Sequence, residues 1–310
     1  MKFEIKNRSR VCLTISVAII ALAILLTLFG RGMNIGIDFT GGILFKYEMG
    51  ESFEVTDIED ALKENGYSET PQIAKSGDNL TDAQIRIKDV DNSDEFRAGL
   101  EAKLQEKYPD MEYLSVDRVG AVTGRELVLN ALGSVLLAAA LMLTYIAIRF
   151  DFFSGLAAVI GLLHDILLMC AFMVLLRSFV QVNSTFIAAC LTIVGYSINN
   201  TIILFDRIRE NLRKTGGRQK DREQLTITSV KETMGRTIGT TVTTLIAIVT
   251  LYILGVPSTR EFALPLIIGI CTGLYSATQI NGYVWNWLVE HGKNWKFTPG
   301  SKKVRKPKKA

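Results

Sequence analysis

Asp165 stands near the middle of an apolar run, Phe152 to Leu176, directly after His164. A carboxylate at that depth in a bilayer costs about 2.5–3.5 kcal/mol on insertion scales. It has two uses there. It binds a proton or cation in transit, or it hydrogen-bonds a neighbouring helix for packing. A second run, TFIAACLTIVGYSINNTIILFDRIREN from Thr185 to Asn211, places Tyr196, Asn199 and Asn200 where lipid accepts few polar groups. It ends in the charges Asp206, Arg207, Arg209 and Glu210. Wound as a helix, Thr192, Tyr196, Asn199 and Ile203 share one stripe, flanked by Asn200 and Asp206. A polar seam of this kind packs against other helices or lines a wet pathway. The two asparagines cannot titrate, and interhelical hydrogen bonding is the favoured account of them unless the segment moves during work. Arg236 opens a further run, RTIGTTVTT, whose polar side includes Thr240, Thr243 or Thr244, and Thr250. It reads as a snorkelling anchor or as a fixed positive charge that tunes the seam.

Other chemistries find no support. Cys12, Cys170, Cys190 and Cys271 lie far apart inside apolar runs, without zinc or CxxC spacing, and His164 and His291 are too separated for a metal centre. No metal and no organic cofactor is expected. The glycine-rich stretch GRGMNIGIDFTGG sets Gly36, Gly41 and Gly42 around Asp38 but lacks the Gly-Lys-Ser/Thr of a phosphate loop. It reads as a tight turn that lifts the chain off a membrane. HExxH and GxSxG are missing, so an intramembrane enzyme is disfavoured. No nucleic-acid partner is expected.

The elements that position these residues are mostly membrane spans. The chain has 310 residues, 48% of them hydrophobic, and a mean hydropathy of +0.25. Its charges gather in a few places and leave long apolar runs between them. The reading is a basic N-terminal segment (1–10) and spans at 11–29, 127–148, 152–176, 185–205, 237–254 and 261–288. A soluble module occupies 30–126, a charged loop 206–236 with a turn at Gly216–Gly217, and a basic tail 289–310. Gly269, Gly273, Ser276 and Ala277 repeat at about one turn along the sixth span, the spacing of close helix packing.

Within the module, ILFKYEM alternates as a strand, and VTDIEDALKENG has helical spacing with a capping-box pattern at Thr56 and Glu59. Two short strands follow around a Gly77-Asp78-Asn79 turn, then an amphipathic helix in SDEFRAGLEAKLQEKY and a last strand in MEYLSVDRVG. The order βαββαβ is ferredoxin-like, an α+β fold that hosts many unrelated functions. The module carries roughly ten more acids than bases. Six crossings that start in the cytoplasm put it outside and keep both termini and the basic loops inside, as the positive-inside bias requires. The basic tail could bind anionic membrane lipid, a ribosome or a cytoplasmic motor, but the positive-inside bias by itself is the favoured account of it.

GIDFTGG, LHD in the third span, GYSINNTIILFDRIREN in the fourth, GRTIGTTVTTL in the fifth and FALPLIIGICTGLYS in the sixth resemble the SecF family, from about Arg8 to Leu288. The resemblance implies a six-helix protein of the RND-type superfamily with one extracytoplasmic ferredoxin-like domain, in the bacterial inner (cytoplasmic) membrane. It implies partnership with SecD and with the SecYEG channel, indirectly with SecA, and action on unfolded preprotein. It implies that a proton or sodium gradient drives late steps of export. The family's fourth-span pattern ends in Asp where this chain has Asn200, an amide that matches the carboxylate in shape but carries no proton. Arg236, which matches the family's fifth-span arginine, then lacks its usual counterpart. Coupling is expected to rest on acids of SecD, on Asp165, or on sodium held by asparagine oxygens. The competing expectation is an RND-type half-transporter for lipid or small molecules.

Overall fold

The computed structural model describes residues 5–69, 71–76, 81–90, 92–178, 180–214 and 222–292. The Gly77–Asn79 turn, the Gly216–Gly217 turn and the tail from residue 293 lie outside the described residues. The chain divides into two compact units, Ile35–Ala131 and the remainder.

The smaller unit opens with the four-residue helix α2 (Ile37–Thr40) and follows it with β1 (Gly42–Glu48), α3 (Val55–Glu64), β2 (Gln72–Ser76), β3 (Asp82–Ile87), α4 (Ser93–Lys107) and β4 (Glu112–Val119). The strands form an antiparallel sheet in the order β2-β3-β1-β4, the ferredoxin-like topology. Alternation makes the core. Ile43, Phe45 and Tyr47 of β1 stand opposite Ile87, Ile85 and Ala83 of β3. All six are buried, together with Ile58 and Leu62 of α3 and Leu100 and Leu104 of α4. The edge strand β4 is different, exposing Tyr113, Leu114 and Val116. The expected capping box is not used. The α3 N-cap is Glu54, without a side-chain bond, and Thr56 falls inside the first turn. Burial of Phe53 and Ile58 fixes where the helix enters and outweighs the cap preference.

The larger unit is helical: α1 (Ile5–Leu28), most of α5 (Ala121–Arg149), α6 (Phe152–Leu175), α7 (Ser184–Lys214), α8 (Arg222–Leu254), α9 (Pro257–Gln279) and α10 (Asn281–His291). Among the described residues, six helices are long and apolar enough to cross a membrane. The windows of α6, α7 and α9 are about half buried, whereas those of α1, α5 and α8 are mostly exposed. The charged turn after α5 caps α6, because the Asp151 carboxylate accepts from the Ser154 amide at 3.0 Å and hydroxyl at 2.6 Å.

Two expectations change. Much of the loop expected at 206–236 is helix, since α7 runs on to Lys214 and α8 starts at Arg222. Arg207 clamps these extensions by bonding Glu232 at 2.7 Å and Glu210 at 2.5 Å, and Asn211 donates to Ser229 and Glu232. The sixth span is also not one continuous helix, but breaks at Ile280 between α9 and α10. There Asn281 turns its amide to α7, and Gly282 sits so close to Thr226 that a Cβ would lie 2.6 Å from its methyl.

Candidate functional site

Small residues bring three helices together around Asp165. A Cβ on Gly269 of α9 would overlap Ile193 of α7, and one on Gly273 would lie 3.4 Å from Ser197 Cβ and 3.7 Å from Asp165 Oδ2. Glycine at these two positions lets α9 approach α7 and α6 closely. Asp165 is consequently fully buried. Ser197 donates to its Oδ2 at 2.5 Å and Ser276 to the same oxygen at 2.8 Å. Oδ1 faces His164 Nδ1 at 3.0 Å. The His164 ring stacks on Tyr275, whose hydroxyl donates to the Cys12 carbonyl of α1.

This geometry has a chemical consequence. With the carboxylate charged, three donors converge on it, and a buried charge needs such bonds. Once Oδ1 carries a proton it donates to His164 Nδ1, which then accepts in the tautomer protonated on Nε2, while both serine bonds to Oδ2 persist. The cluster therefore changes charge without repacking. His164 is the one basic side chain among the described residues in contact with Asp165.

A second polar layer lies one turn along. Asn281 donates to Thr201 Oγ1 at 2.7 Å, and Thr201 donates to the Ser197 carbonyl at 3.0 Å. Asn281 is fully buried against Gly161, where a Cβ would overlap its side chain. Asn200 is 1% exposed, and neither of its amide atoms has a partner among the described residues. Thr241 of α8 is fully buried with its hydroxyl equally unpartnered.

The sequence-derived residues separate accordingly. Asp165 and Asn200 are in the interior. Tyr196 is half-buried, with its hydroxyl enclosed and unpartnered. The expected stripe is displaced, however: Thr192, Asn199 and Asp206 are exposed, and the buried face of α7 is Ile193, Ser197, Asn200, Thr201 and Leu204. The polar residues of α7 straddle two faces, and the small residues of α9 select which one is enclosed. Arg236 is exposed and does not join the buried cluster. Gly36, Asp38, Gly41 and Gly42 belong to the smaller unit, where Gly36 caps α2, Gly41 ends it and Gly42 starts β1. The expected turn is thus a short helix with a glycine exit. The sequence marks Ser276 only as a packing residue and assigns no role to Ser197, Thr201 or Asn281. A serine in the small-residue seam of the sixth span was the available signal for Ser276.

The model of the "Protein export membrane protein SecD/SecF, C-terminal" family matches residues 99–291, and that of the SecD/SecF GG motif matches residues 27–51. The chain belongs to the SecD/SecF family. It is 35% identical over 260 residues to the protein translocase subunit SecF of Haemophilus influenzae, covering 83% of this chain and 78% of that one. It is 34% identical over 286 residues to SecF of Acidaminococcus fermentans, covering 92% and 96%. Among solved structures it is similar to SecDF, a translocon-associated membrane protein, from Thermus thermophilus. The TM-score is 0.81 at 32% identity, over 95% of this chain. The match takes in 39% of the SecDF chain, so this chain spans about two-fifths of its length. Membership of the SecD/SecF family and the six apolar helices together make this a multi-pass membrane protein.

Proposed function

We propose that this chain is an accessory, non-enzymatic subunit of the Sec preprotein translocase that works with SecD to turn an ion gradient into late steps of export. The observation that carries the reading is Asp165, a fully buried carboxyl that hydroxyls from two other helices approach. An acid enclosed in a helical bundle with hydroxyl donors, and with no arginine bonded to it among the described residues, suits reversible proton or sodium binding. Its similarity to SecF and SecDF supports the rest: SecYEG and indirectly SecA as partners, unfolded preprotein as the object moved, and the bacterial inner membrane as the location. The basic N-terminal segment and charged inner ends support cytoplasmic termini, with the acidic module outside. Asn200 is buried and cannot titrate, so coupling falls to Asp165 or to acids of SecD.

Depletion of this subunit, with the chain and its SecD supplied back, tests the reading. Secreted proteins accumulate inside depleted cells, and the native chain restores their export. Normal secretion combined with sensitivity to small toxic molecules sinks it in favour of an efflux half-transporter. Asn200→Asp adds a second test. Gradient-driven export by the native asparagine form is expected. If it appears only once aspartate is introduced, coupling does not run through Asp165 or SecD.

A further inference from the structure

The turn between α5 and α6 gathers two guanidinium groups around one ring. Arg149 ends α5, and its Cζ lies 5.4 Å from the centroid of Phe150. Arg209 of α7 reaches the same ring at 5.9 Å and donates from Nη1 to the Arg149 carbonyl at 3.0 Å. Phe150 is a fixed platform, since it packs against the buried cluster that holds Ile146 and Ile198. Each cation is attracted to the ring, but the two repel each other. Capping the last turn of α5 explains one N–H of Arg209 and nothing of the Arg149 side chain.

The carboxylates nearby are engaged elsewhere. Asp151 accepts from Ser154 with both oxygens. Glu210 pairs with Arg207 and Lys214, and Glu232 pairs with Arg207. Asp206, about one turn back from Arg209, is exposed and joins no ion pair among the described residues. Neither Arg149 nor Arg209 has a carboxylate within ion-pair distance among the described residues. A single arginine at a helix end snorkels into water and needs no partner. Here a hydrogen bond and a shared ring hold two together from different helices, with Arg149 exposed and Arg209 half-buried. Guanidinium forks match the paired oxygens of a phosphate, which neutralises both cations at once.

The surface beside the pair is apolar. Counting back from Arg149 in fours, Tyr145, Leu141 and Leu137 form one ridge of α5, and each is more than half exposed. At 1.5 Å per residue the ridge is about 18 Å long, against about 15 Å for half the hydrocarbon core. A soluble phosphate or nucleotide leaves this ridge uncovered, whereas an acyl chain covers it. A zwitterionic headgroup adds an ammonium beside two guanidinium groups, so the charge favours a headgroup with net negative charge. We propose that Arg149 and Arg209 hold the phosphate of an anionic phospholipid in the leaflet at that end of the bundle, with an acyl chain along Tyr145, Leu141 and Leu137. The lipid supplies the counter-charge and ties the α5–α6 turn to α7. The site is separate from Asp165 and stands whether or not that carboxyl couples an ion gradient.

The test uses the chain assembled with its SecD in nanodiscs of phosphatidylcholine and phosphatidylglycerol. The complex is released into mild detergent, and retained lipid is weighed by native mass spectrometry. The native complex is expected to keep phosphatidylglycerol in preference to phosphatidylcholine, and equal retention of both overturns the site without any variant being needed. Arg149→Gln and Arg209→Gln, each checked for folding by thermal melting, are expected to weaken retention about fivefold each and about thirtyfold together. Lys231→Gln removes the same charge from an exposed position on α8 and is expected to leave retention unchanged. A loss as large as that of either arginine variant assigns the effect to diffuse surface charge and overturns the site. Inorganic phosphate is the remaining arm. It is expected not to displace the lipid, and displacement overturns the lipid in favour of a small-anion site.

Discussion

Ser197 donates a 2.5 Å hydrogen bond to Asp165 Oδ2, and Ser276 shares that oxygen, so Oδ1 alone is left for proton exchange. The two carboxylate oxygens thus have separate duties, one structural and one open to His164. Asp165→Asn keeps the shape of the side chain and removes its titratable proton, and assembly with SecD is expected to survive. Gradient-driven translocation is expected to be lost, measured as protected preprotein in inverted vesicles with and without a protonophore. Ser197→Ala removes one donor to a charged acceptor, a loss of about 1.5–3 kcal/mol from that state. It is expected to reduce gradient-driven translocation by about tenfold or more while leaving the gradient-independent part unchanged. Equal loss of both parts would assign Ser197 to packing alone.

Gly269 lets α9 reach α7. Its missing Cβ would overlap the Ile193 side chain, and Ile193 is fully buried. Gly269→Ala is expected to destabilise the bundle by about 1–3 kcal/mol through overpacking. Adding Ile193→Ala creates the missing space, so the double variant is expected to melt above the sum of the two single losses. Thermal melting of the four proteins in detergent measures that coupling, and strict additivity would contradict the contact.

The three glycines of the GIDFTGG stretch are not equivalent. Gly36 has φ −75° and ψ 168°, a backbone open to any residue. Gly41 has φ 72° and ψ 169°, and Gly42 has φ 122°, both outside the range of ordinary side chains. A Cβ on Gly42 would in addition overlap the carbonyl oxygen of Ile87 in the paired strand. Alanine at Gly41 or Gly42 is expected to cost about 1–3 kcal/mol each, seen as faster proteolysis of the smaller unit. Gly36→Ala is expected to leave proteolysis near that of the native protein.

The six apolar helices and the βαββαβ order could be read from hydropathy and periodicity because those signals are local. So could Asp165, since a charge in an apolar run is conspicuous by itself. Ser197, Ser276 and Asn281 were not legible in the same way. A serine in a membrane helix costs little wherever it faces, and only the arrangement of three helices decides that two of them meet one carboxyl. The displaced seam on α7 has the same origin. Thr192 and Asn199 are as polar as Ser197 and Asn200, and the enclosed side was chosen by glycines about seventy residues away in sequence. The break at Ile280 has a local signal, since Ser276, Thr278 and Gln279 interrupt the apolar run and Asn281-Gly282 is a turn dipeptide, but hydropathy averaged over the span does not register it.

The smaller unit has its own core and its own sheet, so residues 35–120 are expected to fold alone. One polar knot ties its two helices and gives that fragment a specific pH profile. Asp57 of α3 receives Lys107 Nζ at 2.5 Å on Oδ1 and the Tyr108 hydroxyl at 2.5 Å on Oδ2. The Lys107 and Tyr108 bonds hold the Asp57 carboxyl below its ordinary value. Burial, then the bond to Asp57, pushes the Tyr108 phenol up to about 12. A depressed carboxyl contributes stability above its unfolded pKa, near 3.8, and loses it as the pH falls through the folded value. A raised phenol contributes stability below its unfolded pKa, near 10.0, and loses it as the pH rises toward about 12. Urea unfolding of the fragment is therefore expected to show a plateau between about pH 4 and about pH 10, falling on both sides. Asp57→Asn should lower the plateau and flatten its acid limb, and Tyr108→Phe should flatten the alkaline limb. An acid limb as steep in Asp57→Asn as in the native fragment would place its origin in other carboxylates.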